Sequence, residues 1–147
     1  SLVIYFCYVL TINFFCMKIE SEKSQIEKPA SEVFSFLSNF NNFQKLMPEQ
    51  VTNWKSTEDE CSFTISGMAS IGMKIIEKTP NSLIRVTSNG KVPFDFTLNI
   101  LLTENTPSQT TSQLIFQSDI NPMMAMMVEK PLTKFFNLLA SKMKDIL

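Results

Sequence analysis

The sequence predicts an α+β domain in which one long C-terminal helix covers a seven-stranded antiparallel sheet. Three observations favour this. Residues 51–120 alternate apolar and polar side chains, which is typical of a meander of short strands. Residues 121–147 carry apolar side chains at steps of three and four, which is typical of a one-sided helix. Residues 29–47 have helical spacing and precede a proline. The predicted order is one strand, two short helices, six strands and the long helix.

The N-terminal elements are predicted from residue 18 onward. Residues 18–26 are mostly polar, so we expect an edge strand with few apolar contacts of its own. Pro29 suits the first position of a helix, where a missing N–H costs nothing. The apolar face of the helix that follows Pro29 consists of Val33, Phe36, Leu37 and Phe40. Asparagines interrupt this helix, residues 43–47 can add one or two more turns, and Pro48 ends the segment.

Six further strands are predicted from the alternating region, with turn residues such as Asn89-Gly90 between them. Their expected ranges are 51–57, 60–66, 69–78, 83–88, 94–103 and 111–120. Because side chains alternate across a strand, one face of the sheet should be apolar. That face contains Cys61, Phe63, Ile65, Ile71, Met73, Ile75, Ile84, Val86, Phe94, Phe96, Leu98, Ile100, Leu114, Phe116 and Ile120.

The C-terminal helix is predicted to start at Asn121, a good N-cap, with Pro122 at its first position. Its apolar stripe consists of Met124, Val128, Leu132, Phe135, Leu139, Met143 and Ile146. Pro131 removes a backbone hydrogen bond, at a cost of roughly 3 kcal/mol in a regular helix, so we expect a kink there. The kink would separate a Met-rich half from a Phe- and Leu-rich half.

Residues 1–16 differ from the rest of the chain, since 13 of them are apolar and none is charged. The run is shorter than the ~20 apolar residues that span a bilayer. It also has neither the basic start nor the small-residue end of a secretory signal. We therefore interpret residues 1–16 as upstream sequence translated in frame or added by cloning, and residues 17–147 as the domain. Membrane contact is expected only if residues 1–16 belong to the natural protein.

Composition excludes several functions. Histidine is absent, so Ser-His-Asp and Cys-His catalysis and histidine-ligated zinc are excluded. The net charge is −1 and Arg85 is the single arginine, so no basic surface for nucleic acid is expected. The three cysteines have no CxxC spacing, which indicates buried thiols in a reducing, cytoplasmic compartment. We expect neither a metal nor a cofactor.

One local motif resembles a known family. Residues 26–34 read Ile-x-x-Pro-Ala-x-x-Val-Phe, which is similar to the opening of the SRPBCC superfamily of START-like, Bet v 1-like and polyketide cyclase-like proteins. The resemblance extends over residues 17–147 through the order of elements. It implies the helix-grip fold, in which a curved sheet closes around the C-terminal helix and leaves a hydrophobic cavity. Because this scaffold hosts binders and enzymes alike, fold alone does not decide function.

The resemblance implies a ligand cavity between the apolar sheet face and the helix. Its expected lining is Phe63, Ile65, Met68, Ile71, Met73, Phe94, Phe96, Leu98, Phe116, Met124, Met127, Val128 and Phe135. Each of these residues taken alone is more often core packing. An empty cavity of ~300 Å³ would cost about 7 kcal/mol, so it should either collapse or be filled. Methionine adapts to both states, and we hypothesise that the Met-rich half-helix is a mobile lid.

Three functions fit these observations. The first is non-catalytic binding of a small hydrophobic molecule or lipid. The second is a cyclase or hydrolase on the same scaffold, which the absence of histidine, and of tyrosine beyond residue 8, disfavours. The third is a protein-interaction module with a collapsed cavity. Arg85 and Asp95 are expected to be solvated surface charges, and no catalytic residue is predicted.

Overall fold

An antiparallel sheet and one long helix form the body of the protein in the computed structural model, which describes residues 15–66 and 69–147. The strands are β1 Phe15–Glu20, β2 Ser24–Ile26, β3 Val51–Ser56, β4 Glu60–Ile65, β5 Ala69–Thr79, β6 Leu83–Ser88, β7 Thr97–Thr106 and β8 Gln109–Ile120. The helices are α1 Ala30–Leu37, α2 Phe40–Phe43, a 3₁₀ turn Gln44–Leu46 and α3 Pro122–Ile146. The predicted α+β class and element order are confirmed.

The sheet order is β1-β8-β7-β6-β5-β4-β3, with β2 also paired to β8, and every pairing is antiparallel. The strands from β3 to β8 therefore form an unbroken meander. β1 returns to pair with β8, so the start of the domain lies against its last strand. This arrangement places α3, which follows β8 directly, across the inner face of the sheet.

The predicted first strand is split into β1 and β2, both of which pair with β8. The break arises from contacts with residues that are distant in the sequence. The Ser21 hydroxyl accepts from the Leu114 amide at 3.0 Å, and the Glu22 amide donates to the Asn137 side chain at 2.9 Å. The chain thus leaves the ladder to bind α3. Within β2, the Ser24 hydroxyl donates to the Ala140 carbonyl at 2.6 Å, which fixes α3 at a second point.

The prediction that this first strand makes few apolar contacts was wrong. Met17, Ile19 and Ile26 are all buried in the main core cluster. Met17 and Ile19 lie two residues apart and share one side of β1, while Ile26 is buried from the separate strand β2, so the polar residues between them do not prevent burial. The strand begins at Phe15, which pairs with Ile120, so two residues of the range 1–16 belong to it. The rest of that range lies outside the described residues.

Strand β7 begins at Thr97, three residues later than predicted. The Ser88 hydroxyl accepts from the Phe96 amide at 3.2 Å and donates to the Asp95 carboxylate at 3.3 Å. Pro93 has no N–H for the ladder, so the chain before Asp95 runs as an irregular loop. The other five strands of the meander start and end within two residues of their predicted bounds.

The predicted apolar face of the sheet is the inner face. Of its fifteen residues, thirteen are buried, and Ile75 and Phe94 are half-buried. The pairing of β5 with β6 shifts register between Ile75 and Glu77. This irregularity turns Ile76 outward, where 53% of it is exposed.

Helix α3 begins as predicted, since the Asn121 side chain accepts from the Met123 amide at 2.8 Å. The helix is continuous through Pro131. Only the middle of the predicted stripe is buried, at Leu132, Phe135, Leu139 and Met143. In the part of the chain that the structure describes, no helix is both long enough and apolar enough to cross a membrane.

Candidate functional site: an apolar cavity under helix α3

A small cavity lies between the inner face of the sheet and α3. Its lining consists of Phe43, Met47, Phe63, Ile65, Ile71, Met73, Phe94, Phe96, Leu98, Phe116, Leu132, Phe135, Phe136 and Leu139. All fourteen side chains are apolar, and seven are phenylalanines. Twelve are buried, whereas Met47 and Phe94 are half-buried. The wall therefore reaches solvent at these two residues.

Little free space remains inside the cavity. The centre of a water-sized sphere can occupy about 30 Å³ of it, enough for one or two waters but not for a ligand. Ligand pockets usually measure ~300–1,000 Å³. An empty apolar space of this size costs roughly 0.7 kcal/mol at ~24 cal/mol per Å³. Of the two outcomes expected from the sequence, collapse or filling by a ligand, the structure shows a nearly complete collapse.

Five phenylalanines form one connected group, the aromatic cluster, across the cavity wall. Phe96 stacks on Phe116 at 5.3 Å between ring centroids, and Phe116 contacts Phe136 at 5.3 Å. Phe135 meets Phe136 edge to face at 5.5 Å. Phe94 meets Phe96 and Phe116 edge to face at 6.4 and 6.3 Å. The cluster thus joins the loop before β7, strand β8 and helix α3.

Trp54 lies behind another part of the wall. Its indole stacks on Phe63 at 5.3 Å with an angle of 23° between the rings. The indole N–H donates to the Ser56 hydroxyl at 3.0 Å, and that hydroxyl donates to the Asn41 side chain at 2.7 Å. Since Trp54 is the only tryptophan, its fluorescence reports on the cavity wall through Phe63.

Nine of the thirteen predicted lining residues line this cavity: Phe63, Ile65, Ile71, Met73, Phe94, Phe96, Leu98, Phe116 and Phe135. Met68 lies outside the described residues. Met124 and Met127 are 36% and 71% exposed, and Val128 is half-buried against the core. These three do not line the cavity. A lid role for this half-helix stays a prediction, tested by comparing hydrogen exchange of amides 122–130 with 132–143.

Sequence reasoning missed Phe43, Met47, Leu132, Phe136 and Leu139 as lining residues. Leu132 and Leu139 were already on the predicted helix stripe, so only their assignment to the cavity was absent. Phe136 follows Leu132 by four residues and precedes Leu139 by three, a helical spacing that could have revealed it. Phe43 and Met47 flank the 3₁₀ turn, and the sequence does not show that this turn faces the sheet.

In the described part of the chain, no charged side chain lines this cavity. Arg85 donates to Glu77 at 3.0 Å and to Asn99 at 3.1 Å, and the two ionised side chains are 41% and 43% exposed. Such an exposed pair contributes little to stability. Asp95 is also exposed. Within residues 15–66 and 69–147, no three histidine, cysteine or acidic side chains come close enough to hold a metal ion.

The Cys61 thiol lies on the inner face of the sheet but does not line the cavity. Burial raises its pKa to about 12, and a hydrogen bond with the backbone of Met73 offsets part of this rise. The thiol is therefore neutral at physiological pH. A neutral buried thiol is unreactive, so Cys61 is a core residue rather than a nucleophile.

Comparison with known proteins finds similarity in structure alone. No family model matches the chain, and no curated protein matches its sequence significantly. Norcoclaurine synthase from Thalictrum flavum superposes with a TM-score of 0.71 at 12% identity, over 92% of this chain and 88% of the synthase. A START superfamily protein from Mycobacterium smegmatis gives 0.65 at 11% identity, over 88% and 99%.

A third similar structure is the di-domain ARO/CYC protein BexL from the BE-7585A biosynthetic pathway. It gives a TM-score of 0.68 at 11% identity, over 88% of this chain and 45% of BexL. The architecture that these comparisons support is an antiparallel sheet with two short helices and a long C-terminal helix packed on the sheet. The fold expected from the sequence is therefore confirmed at the level of architecture: the chain has a helix-grip-like fold.

Proposed function

We propose that this protein binds a small hydrophobic molecule or lipid between the sheet and α3, without catalysing a reaction. One observation carries the proposal: every side chain that lines the cavity is apolar. Burying the apolar surface of a ligand against such a wall stabilises the complex by roughly 25 cal/mol per Å². A norcoclaurine synthase structure of similar fold contains dopamine and hydroxybenzaldehyde, which supports the use of this scaffold for small molecules.

The small size of the cavity sets a condition on binding. A ligand must displace wall side chains, and the cost of opening is offset only when the ligand fills the space it creates. Met47 and Met73 ease this step, because methionine is unbranched and adapts to new surroundings. A charged ligand would lose its hydration without gaining a partner from this wall, so the bound part of the ligand is neutral.

Catalysis is not proposed, since an acid or base would have to reach the ligand. In the described part of the chain, the cavity lining contains no ionisable side chain and no hydroxyl. General acid–base catalysis needs such a group within hydrogen-bonding distance of the reacting atom. A cyclase or hydrolase role would therefore require groups that this wall lacks.

Native mass spectrometry of protein expressed in bacteria tests the proposal. We expect a co-purified apolar mass or, after its removal, a change in Trp54 emission when apolar compounds are added, because Trp54 stacks on the wall residue Phe63. The variant Leu98→Phe fills the cavity from the sheet side and should abolish the response. Leu114→Phe is the matched control, since Leu114 is buried in the same sheet but does not line the cavity.

Binding that survives in Leu98→Phe but is lost in Leu114→Phe would place the ligand elsewhere. If the delipidated protein shows no response to any apolar compound, the proposal fails. Both variants are first tested for cooperative unfolding, because overpacking a core usually costs about 1–3 kcal/mol.

A protein-interaction role is the second candidate, and one surface favours it. Met123, Met126 and Met127 are 73%, 81% and 71% exposed on the first half of α3. Such a cluster of exposed apolar side chains is typical of surfaces that adapt to a partner protein. A photo-crosslinker at position 126 should then capture one partner in cells, whereas the same group at the exposed Lys142 should not. Equal capture at both positions would reject this role.

A further inference from the structure

The loop between β6 and β7 is fixed at its two ends and free between them. The Asn89 amide donates to the Gly72 carbonyl at 2.8 Å, and the Asn89 side chain donates to Glu60 at 3.2 Å. At the other end, the Asp95 carbonyl accepts from Ser118 at 2.6 Å. In the described residues, the stretch 90–94 between these anchors makes no hydrogen bond. We refer to residues 90–94 as the flap.

Gly90 gives the flap a point of rotation. Its φ is +73°, a value that residues other than glycine rarely adopt, and no atom of a residue beyond its two chain neighbours lies within 4 Å of the place where a Cβ would stand. A segment with few hydrogen bonds and an open neighbourhood opens at lower cost than the strands around it. The flap can therefore move while β6 and β7 stay paired.

Phe94 is the residue that the flap contributes to the cavity. Of the seven phenylalanines that line the cavity, only Phe94 belongs to no helix or strand and makes no backbone hydrogen bond. Its side chain is half-buried. The ring is held by edge-to-face contacts with Phe96 and Phe116, at 6.4 and 6.3 Å. Phe96 and Phe116 are themselves buried and stacked on each other. The Phe94 ring, which can move, thus packs against the two fixed rings at the place where the cavity wall reaches solvent.

We infer that the Phe94 ring is an internal plug that occupies the ligand's place, and that a neutral aromatic ring binds by displacing it. This inference rests on the proposed function. The fixed pair Phe96 and Phe116 offers an aromatic ring the same edge-to-face contacts that Phe94 now makes. The all-apolar wall requires that the incoming ring carry no charge. Removing the plug should therefore create a site for a single ring, as apolar cavities of ~150 Å³ do for benzene.

Titrations with toluene and methylcyclohexane, followed by NMR of the backbone amides, test this inference. The proteins compared are the wild type, Phe94→Ala and the control Phe34→Ala. Phe34 is also half-buried and packed against the core, but it does not line the cavity. We expect Phe94→Ala to bind toluene at least tenfold more tightly than the wild type, and Phe34→Ala to match the wild type. In Phe94→Ala, toluene should bind about two- to tenfold more tightly than methylcyclohexane, the value of one aromatic pair.

A second variant, Phe94→Trp, keeps an aromatic plug and should bind toluene no more tightly than the wild type. Equal toluene affinity in the wild type and Phe94→Ala overturns the plug, while the proposed function stands as long as both bind. Equal binding of the two hydrocarbons to Phe94→Ala overturns the aromatic preference and with it this inference. If no variant binds either hydrocarbon, the plug is overturned, whereas the proposed function is decided separately by the co-purified mass and by the response of Trp54 to other apolar compounds.

Discussion

Replacing Phe116 with alanine removes the ring at the centre of the aromatic cluster. Phe116 is 3% exposed, and its ring contacts Phe96 and Phe136 at 5.3 Å each and Phe94 at 6.3 Å. A buried Phe→Ala change costs about 3–5 kcal/mol, and the three ring contacts place this site at the upper end of the range. For a chain of 147 residues, this corresponds to a fall in melting temperature of about 10–15 °C.

Urea unfolding followed by circular dichroism and by Trp54 fluorescence measures this loss. The control is Phe34→Ala, which removes a half-buried ring outside the cavity and should cost about 1–2 kcal/mol. Coincident transitions in the two signals would show two-state unfolding, which a comparison of free energies requires. A loss for Phe116→Ala no larger than that of the control would refute the description of Phe116 as the centre of the cluster.

Toluene provides a second measurement on the same variant. The space vacated by the Phe116 ring adjoins the existing cavity, so Phe116→Ala should bind toluene even with Phe94 in place. Binding to the folded state stabilises it by about 2.7 kcal/mol at a ligand concentration 100 times the dissociation constant. Toluene should therefore restore a large part of the lost stability in Phe116→Ala. Equal stabilisation of Phe34→Ala would show that toluene does not bind in this space.

Three further predictions concern single sites. In Gly72→Ala, the added methyl group would overlap the backbone carbonyl oxygen of Asn89, so the free energy of unfolding in urea should fall by about 1–3 kcal/mol. An unchanged urea midpoint would contradict the close approach of Gly72 to Asn89. In Pro131→Ala, a helix that already runs through this position regains a backbone hydrogen bond, so stability should rise, by about 3 kcal/mol at most; a loss would show that the helix requires the proline. The pKa of Cys61 is raised from 9.0 to about 12 in the folded state, so its contribution to stability is complete below pH 9 and is lost as pH rises from 9 to 12. The slope of stability against pH in this range should become less negative in Cys61→Ala, and an unchanged slope would show that the thiol ionises equally in both states.

Much of the fold follows from local patterns in the sequence. Alternation predicts the apolar face of the sheet, because one side of every strand from β4 to β8 is buried against the same core. The cap at Asn121 predicts the start of α3, because its side chain accepts a hydrogen bond from a helix N–H that has no partner within the helix. These signals are read within a few residues, and tertiary packing does not override them.

The errors arise where distant contacts decide the local structure. Residues 21–23 leave the ladder because Asn137, more than a hundred positions away, captures the Glu22 amide. The start of β7 moves to Thr97 because Ser88 on the neighbouring strand binds the backbone and side chain of the preceding residues. Neither partner can be identified from spacing along the chain. The first and last residues of the helices and strands are therefore predicted less well than the order of these elements.

The candidate site shows the same division between local and distant information. Period-two alternation identified the sheet side of the cavity, since eight of the nine correctly predicted lining residues come from it and only Phe135 comes from helical spacing. On α3, the spacing of apolar residues predicted one continuous buried stripe. Met124 belongs to that stripe, but it lies near the N-terminal end of the helix, where the side chains are exposed. A stripe on a helix wheel does not indicate how far the partner surface extends. That distance depends on the curvature of the sheet.

The volume of the cavity depends on the same distance. Two alternatives for the interior follow from the sequence, a collapsed core or a space filled by a ligand, because the free energy of a large empty pocket excludes a third state. Under the plug proposed above, a cavity of about 30 Å³ with the half-buried Phe94 ring at its edge would satisfy both alternatives at different times. Without ligand, Phe94 fills the place of a guest and avoids the cost of a void. With ligand, the loss of two edge-to-face contacts is offset by equivalent contacts to the guest. A nearly filled interior is therefore compatible with binding, provided that part of the filling belongs to a segment with no hydrogen bonds of its own to break.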